Sequence, residues 1–290
     1  MKLRMALRLD DNRLEWPRAA ARLLLALIGL AVPAAHAQQV AISETTQTIA
    51  SRPGVTESFY LDTPPTQPSA ALILLAGGDG VVGVRNPPPA LAPDPQGSGN
   101  FLVRSRQLFA SHGLLVLVLD TPSDHPDGVN GYFRAHGESV QDIQAVLDWL
   151  HQRYALPVWL VGTSRGTESA ANAAIHLGDR LAGLVLTSTI TTANRQDGFP
   201  VSSMALGRIR VPTLALGHVD DLCELSRPAG EGQVIAELGA PVKQALLLSG
   251  GGSPRGAVCG AQAHHGFIGQ EAEAVAVIAD FIAAAGRRPQ

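Results

Sequence analysis

Val158-Trp159-Leu160-Val161-Gly162-Thr163-Ser164-Arg165-Gly166 is the stretch on which the fold turns. Four apolar residues read as a buried strand, and the alanine-rich segment Arg165 to Leu177 that follows reads as a helix. Between them lies G-x-S-x-G, a pattern frequent by chance but specific when a strand precedes it and a helix follows. A serine held there sits on a sharp, strained strand-to-helix turn, and side chains at the flanking glycines would collide with the neighbouring strand and helix. Ser164 is thereby expected to stand exposed above the carboxyl edge of a sheet.

Working outward, apolar strands and helical segments alternate. Val40 to Asp62 reads as two strands around Arg52-Pro53-Gly54, and Ala70 to Ala76 as a buried strand. Gly77 to Asn100 is rich in Gly and Pro. Then come a helix from Phe101 to His112, a strand from Leu114 to Asp120, a helix from Ser139 to Tyr154, and the Pro157 to Leu177 unit. Strands follow at Leu181 to Thr187, Thr213 to Gly217 and Lys243 to Ser249, with helices at Glu231 to Leu238 and Gln270 to Ala285. The expectation is a three-layer α/β/α sandwich with a mostly parallel eight-stranded sheet. Ser188 to Ile209 is about 20 residues, too short for a helical cap domain.

An activated serine needs a base with a carboxylate behind it. His264-His265-Gly266-Phe267 stands after the last strand and before the last helix, where the base of such an enzyme is expected. His265 is preferred to His264 because Gly266 permits the tight turn that presents the ring. Asp220-Asp221 follows the strand that ends at Gly217. Counting from Pro212 favours Asp221 as the acid, and counting from Gly217 favours Asp220; Asp221 is the first choice. The oxyanion of an acyl-transfer intermediate would be met by the backbone N–H of Gly78, after Leu74-Leu75-Ala76-Gly77, and by that of Arg165 at a helix N-terminus.

These motifs, in the order serine, aspartate, histidine, resemble the α/β-hydrolase superfamily across nearly the whole chain after residue 37. Asn100-Phe101-Leu102-Val103-Arg104-Ser105-Arg106, Asp220-Asp221-Leu222-Cys223 and Cys259 ahead of His265 also look like an uncharacterised exported bacterial branch of it. The resemblance implies an esterase-like serine hydrolase fold and mechanism, not a substrate. Two departures stand out: Ala76-Gly77 replaces the His-Gly common in relatives, and Gly217-His218 reverses the usual order.

The chain's first 37 residues combine basic positions up to Arg22, the apolar run Leu23 to Val32, and Ala35-His36-Ala37, which reads as a secretory signal with an A-x-A cleavage site. The basic stretch before the apolar run is long, which leaves Met5 as an alternative start. Ten apolar residues fall short of the roughly 20 a membrane-spanning helix needs. One catalytic domain, residues 38–290, would remain, exported to the periplasm or beyond. It carries 16 basic and 22 acidic residues, a balance against nucleic-acid binding. In an oxidising compartment the only two cysteines, Cys223 and Cys259, are expected to pair, tying the acid loop to the base loop; a ring of that size stabilises by about 4 kcal/mol in chain-entropy terms.

Two further patterns invite other readings. Gly78-Asp79-Gly80-Val81-Val82-Gly83 matches G-x-G-x-x-G, but Pro87-Pro88-Pro89 stands where a dinucleotide site needs a helix. His218, Asp220, Cys223, Cys259, His264 and His265 include metal-ligand types without compact paired spacing. The sequence therefore predicts no cofactor and no metal, and a small-molecule ester as substrate. A peptidase or amidase with the same triad, and a binding protein on a hydrolase scaffold, are the competing readings.

Overall fold

The computed structural model describes residues 41–85, 99–193 and 199–287. The proposed signal segment 1–37, and much of the loop after Gly80, lie outside these residues. Eight strands form one sheet: β1 (Ser43–Arg52), β2 (Val55–Thr63), β3 (Ala70–Leu75), β4 (Leu114–Leu119), β5 (Val158–Thr163), β6 (Gly183–Thr187), β7 (Thr213–His218) and β8 (Lys243–Leu248). Their spatial order is β1-β2-β4-β3-β5-β6-β7-β8. β2 runs antiparallel to β1 and β4, and every other pairing is parallel. The helices are α1 (Phe101–Ser111), α2 (Gly131–Arg134), α3 (Gly137–Arg153), α4 (Gly166–Leu177), α5 (Ala229–Glu237) and α6 (Glu271–Gly286). None of the described helices is long and apolar enough to cross a membrane.

Strand alternation sends successive side chains to opposite faces. Ala71, Ile73 and Leu75 of β3, with Leu115, Leu117 and Leu119 of β4, face α3 and α4 and pack on Ile143, Leu147, Leu150, Ala170 and Ala174. Leu72, Leu74, Val116 and Val118 face the other way, against Phe101, Phe109, Val275 and Ile278 of α1 and α6. Because both faces are covered, the central strands are apolar throughout, which is why they read as continuous runs. Truncating one of these, such as Leu117 at 0% exposure, to alanine typically costs about 2–5 kcal/mol.

The strand order reverses at β3, which pairs with β4 on one side and β5 on the other. In open α/β sheets ligands settle outside the carboxyl ends of strands at such a point, and the β3 and β5 ends carry the glycine turn and Ser164. Between residues 188 and 209, the described residues hold only short 3-10 turns at Val201–Ser203 and Leu206–Arg208. The short helix α2 lies between the strand expected to end at Asp120 and the helix expected to begin at Ser139, an interval for which no helix was expected. It is capped by Asn130, whose Oδ1 accepts the Phe133 N–H at 3.0 Å, and four residues give no periodicity from which to infer it.

Candidate active site

Ser164 has φ +51, left-handed backbone that few non-glycine residues adopt. The turn is possible because the flanking residues lack side chains. A Cβ on Gly166 would lie 2.0 Å from the Leu75 carbonyl oxygen, and one on Gly162 would lie 2.5 Å from the Gly166 carbonyl oxygen. The Ser164 N–H donates to the Thr187 carbonyl at 2.9 Å, fixing the turn to β6. Gly77 approaches as closely: a Cβ there would meet the Ser164 Cβ at 2.9 Å. The glycine turn after β3 and the serine turn after β5 are therefore packed directly on each other.

His265 and Asp221 meet from the loops before α6 and after β7. His265 Nδ1 lies 2.9 Å from Asp221 Oδ2, and both residues are buried, at 4% and 5% exposure. Asp221 is held in turn: its Oδ1 accepts the Cys223 N–H at 2.9 Å, and its Oδ2 accepts the Ser226 hydroxyl at 2.9 Å. Ser226 Oγ also lies 2.9 Å from His265 Nδ1. With Nδ1 engaged by the carboxylate, the ring's proton belongs on Nδ1 and the lone pair on Nε2. His265 Nε2 is buried without a hydrogen-bond partner, and it is not bonded to Ser164. Uncomplexed sites often leave this link open until substrate tightens them. Ser164, His265, Gly77, Gly78, Asn100 and Phe101 line one cavity of about 380 Å³.

Of the adjacent aspartates, Asp221 is the one beside His265; Asp220 is exposed and turns outward. Of the adjacent histidines, His264 points instead to His218, with 3.1 Å between their Nδ1 atoms. Cys223 and Cys259 form a disulfide, with Cα atoms 4.7 Å apart, joining the loop of Asp221 to the segment ahead of His265.

Backbone strain gathers at this edge. Besides Ser164, the described non-glycine residues with positive φ are Ser188 (+46) and Phe267 (+56). Ser188 donates its hydroxyl to the His265 carbonyl at 2.8 Å, and Phe267 ends the turn that begins at His264. Gly266 is required between them, since a Cβ there would lie 2.2 Å from the Ala261 carbonyl oxygen. Arg104 of α1 binds the Gly266 carbonyl and pairs with Glu271 at 2.9 Å, fastening the turn to α6. Strain confined to one edge is characteristic of sites whose geometry the surroundings enforce.

The sequence did not single out Arg134. Buried at 3% exposure, its guanidinium donates to the carbonyls of Ala76 (3.3 Å) and Gly78 (3.2 Å) and to Ser169 Oγ (3.2 Å). It thus orients the peptide groups of the glycine turn from behind. Burial lowers its pKa to about 10, against the favourable charge of Glu168, so it stays protonated at neutral pH. Ser226 was missed as well: a serine five residues after an aspartate has no sequence signal. The Gly78–Gly83 pattern has its own explanation, because Asp120 accepts the N–H groups of Val82 (2.9 Å), Val84 (2.8 Å) and Thr121 (2.9 Å). Asp120 at the end of β4 thus fastens the loop after Gly80.

No family model matches the chain, and no curated protein does. Solved structures match its fold. Est1E of Butyrivibrio proteoclasticus, in a form with bound ferulic acid, gives a TM-score of 0.58 at 12% identity, over 83% of this chain and 100% of that one. An α/β serine hydrolase homologue from Coxiella burnetii gives 0.57 at 16%, covering 81% and 96%. An esterase of Pyrococcus furiosus gives 0.55 at 13%, covering 84% and 93%. Strand order, the strand-turn-helix around Ser164 and these likenesses agree: the chain has the α/β-hydrolase fold.

Proposed function

We propose that this protein is an exported serine hydrolase that cleaves a carboxylic ester through an acyl-enzyme, with Ser164 as nucleophile, His265 as base and Asp221 as the acid behind it. The observation that carries the reading is the buried Asp221–His265 pair at 2.9 Å, opening onto the same cavity as a serine held at φ +51. The fold likeness to two esterases and a serine hydrolase homologue supports it. The disulfide and the apolar segment after Arg22 support export.

In this mechanism Ser164 Oγ attacks the ester carbonyl while its proton passes to His265 Nε2. Asp221, steadied by the Ser226 hydroxyl and the Cys223 N–H, stabilises the imidazolium. The oxyanion is received by the N–H groups of Gly78 and Arg165, each worth roughly 3 kcal/mol when well aimed. Collapse expels the alcohol, which takes the proton from His265. Water then repeats the sequence on the acyl-enzyme, and the acid leaves with Ser164 restored.

A fluorophosphonate probe with peptide mass mapping tests the assignment. Label is expected on Ser164, absent in Ser164→Ala and slowed at least 100-fold in His265→Ala. A folded protein that takes no label would overturn it in favour of a binding role. Parallel assays on an ester and the matching anilide separate esterase from amidase, and faster ester turnover is expected.

A further inference from the structure

Outside the Asp221–His265 pair, the same two loops bring a second set of chemistry-bearing side chains together. His218 ends β7, Asp220 lies two residues on, and His264 comes from the loop before α6. One ligand atom from each lies within 4.8 Å of the others. Cys223 and Cys259 are committed to their disulfide and His265 to Asp221, so these three are what remains of the ligand types that the sequence placed in this region.

The two imidazoles meet edge to face, ring centres 4.3 Å apart, with their Nδ1 atoms 3.1 Å apart. His218 Nε2 faces the Gly250 carbonyl at 3.1 Å, which puts that ring's proton on Nε2 and a lone pair on Nδ1, towards His264. Two nitrogens so placed must share either a proton or a cation. A tetrahedral ion of the zinc class with bonds of about 2.0–2.1 Å sets its nitrogen ligands roughly 3.3 Å apart. The carbonyl behind His218 is the outer partner that metal-bound histidines ordinarily have. Asp220 is exposed, and its carboxylate oxygen lies within 4.8 Å of both histidine ligand atoms. Its backbone N–H also donates to His218 Nδ1 at 3.0 Å, so binding an ion exchanges that hydrogen bond for a coordinate bond.

We propose that His218, Asp220 and His264 form a binding site for one divalent transition-metal ion of the zinc class, bridging the loop after β7 to the loop before α6. Two imidazoles and one carboxylate suit zinc, cobalt, nickel or copper better than calcium or magnesium, which prefer all-oxygen shells. The half-buried His264 and the exposed Asp220 leave the fourth position open to water. Bound there, the ion ties together the loops that the disulfide already joins, and it stabilises the folded chain in proportion to its free concentration.

The test is calorimetric titration of the chelator-stripped protein with Zn²⁺, alongside His264→Ala, Asp220→Ala and His265→Ala, each first checked for folding by circular dichroism. One ion per chain is expected, at least tenfold weaker in His264→Ala and Asp220→Ala and unchanged in His265→Ala. Zn²⁺ should raise the melting temperature of the parent and not of His264→Ala. Co²⁺ should give the visible bands of a low-symmetry, four- or five-coordinate ion. Absence of saturable binding, or equal binding by the parent and His264→Ala, overturns the proposal. So does binding lost in His265→Ala but kept in His264→Ala, which would place the ion in the candidate active site. None of these readouts depends on hydrolase activity.

Discussion

Asp220 and Asp221 are neighbours in one loop, and His264 and His265 are neighbours in another, yet each pair is split between two environments. The inner members, Asp221 and His265, are buried and bonded to each other beside the serine cavity. The outer members, Asp220 and His264, face His218 and solvent. Consecutive residues in a turn point different ways, so one loop serves two sites without the sites sharing a side chain. A single geometric fact, the turn at each loop, decides which of two identical residues is inner.

The contrast can be broken most forcefully at the inner set. Ser164→Ala and His265→Ala should each lower kcat/KM on an ester by about 10⁴–10⁶-fold, while His264→Ala stays within a few-fold. Equal losses in the two histidine variants would dissolve the distinction. Next comes the acid: Asp221→Asn should cost about 10⁴-fold, as the ring loses its orienting charge, and Asp220→Asn should be nearly silent in the same steady-state assay.

A smaller effect is expected behind the glycine turn. Arg134→Met removes the donor to the Ala76 and Gly78 carbonyls and one favourable charge near Glu168. Chemical denaturation should reveal a loss of about 3 kcal/mol, with kcat falling more than KM if the turn positions an oxyanion donor. Glu231 sharpens the comparison through pH. It accepts the Thr189 N–H at 2.8 Å, next to the Ser188 that holds the His265 carbonyl. Burial raises its pKa from 4.5 to about 7, despite the Thr189 hydrogen bonds. The native form therefore keeps a proton that the unfolded chain releases, and this contribution to stability, full below pH 4.5, is lost as pH rises through 7. It amounts to at most about 3 kcal/mol. Asp62, raised to about 7 by burial, adds a slope of the same sign. Melting temperatures from pH 5 to 8 should fall less in Glu231→Gln than in the parent. Last, Ser226→Ala removes one of the two hydrogen bonds steadying the Asp221 carboxylate; a kcat loss of about tenfold, roughly 1.4 kcal/mol, with little change in melting temperature would mark it as a positioning residue.

The strands and longer helices were legible because their apolar periods are imposed by burial on two faces: Leu72 and Ile73 are both fully buried, so β3 could only read as a continuous run. The elbow was legible because Gly162 and Gly166 are sterically compelled. Asp221 against Asp220 was not, since loop direction depends on where β7 ends and on the Cys223 N–H and Ser226 hydroxyl that receive the carboxylate. Arg134 was illegible for a related reason: it acts on carbonyls 56 and 58 residues away, a distance that no local pattern encodes. His218 and Asp220 lie together at the end of β7, but His264 comes from the loop before α6, and spacing along the chain carries no trace of its meeting them.

The Cys223–Cys259 bond also changes what kind of object the last strand is. β8 lies at the open edge of the sheet, with Lys243 and Gln244 exposed. Both α5 and β8 fall inside the covalent ring that the disulfide closes. An edge strand is where partial unfolding and mispairing with other chains ordinarily start. With the bond in place it can come away only as a closed loop, its two ends held together at Cys223 and Cys259. Reduction would turn that closed loop into an open segment, so the thiol state of two residues decides the topology in which this edge of the sheet can detach.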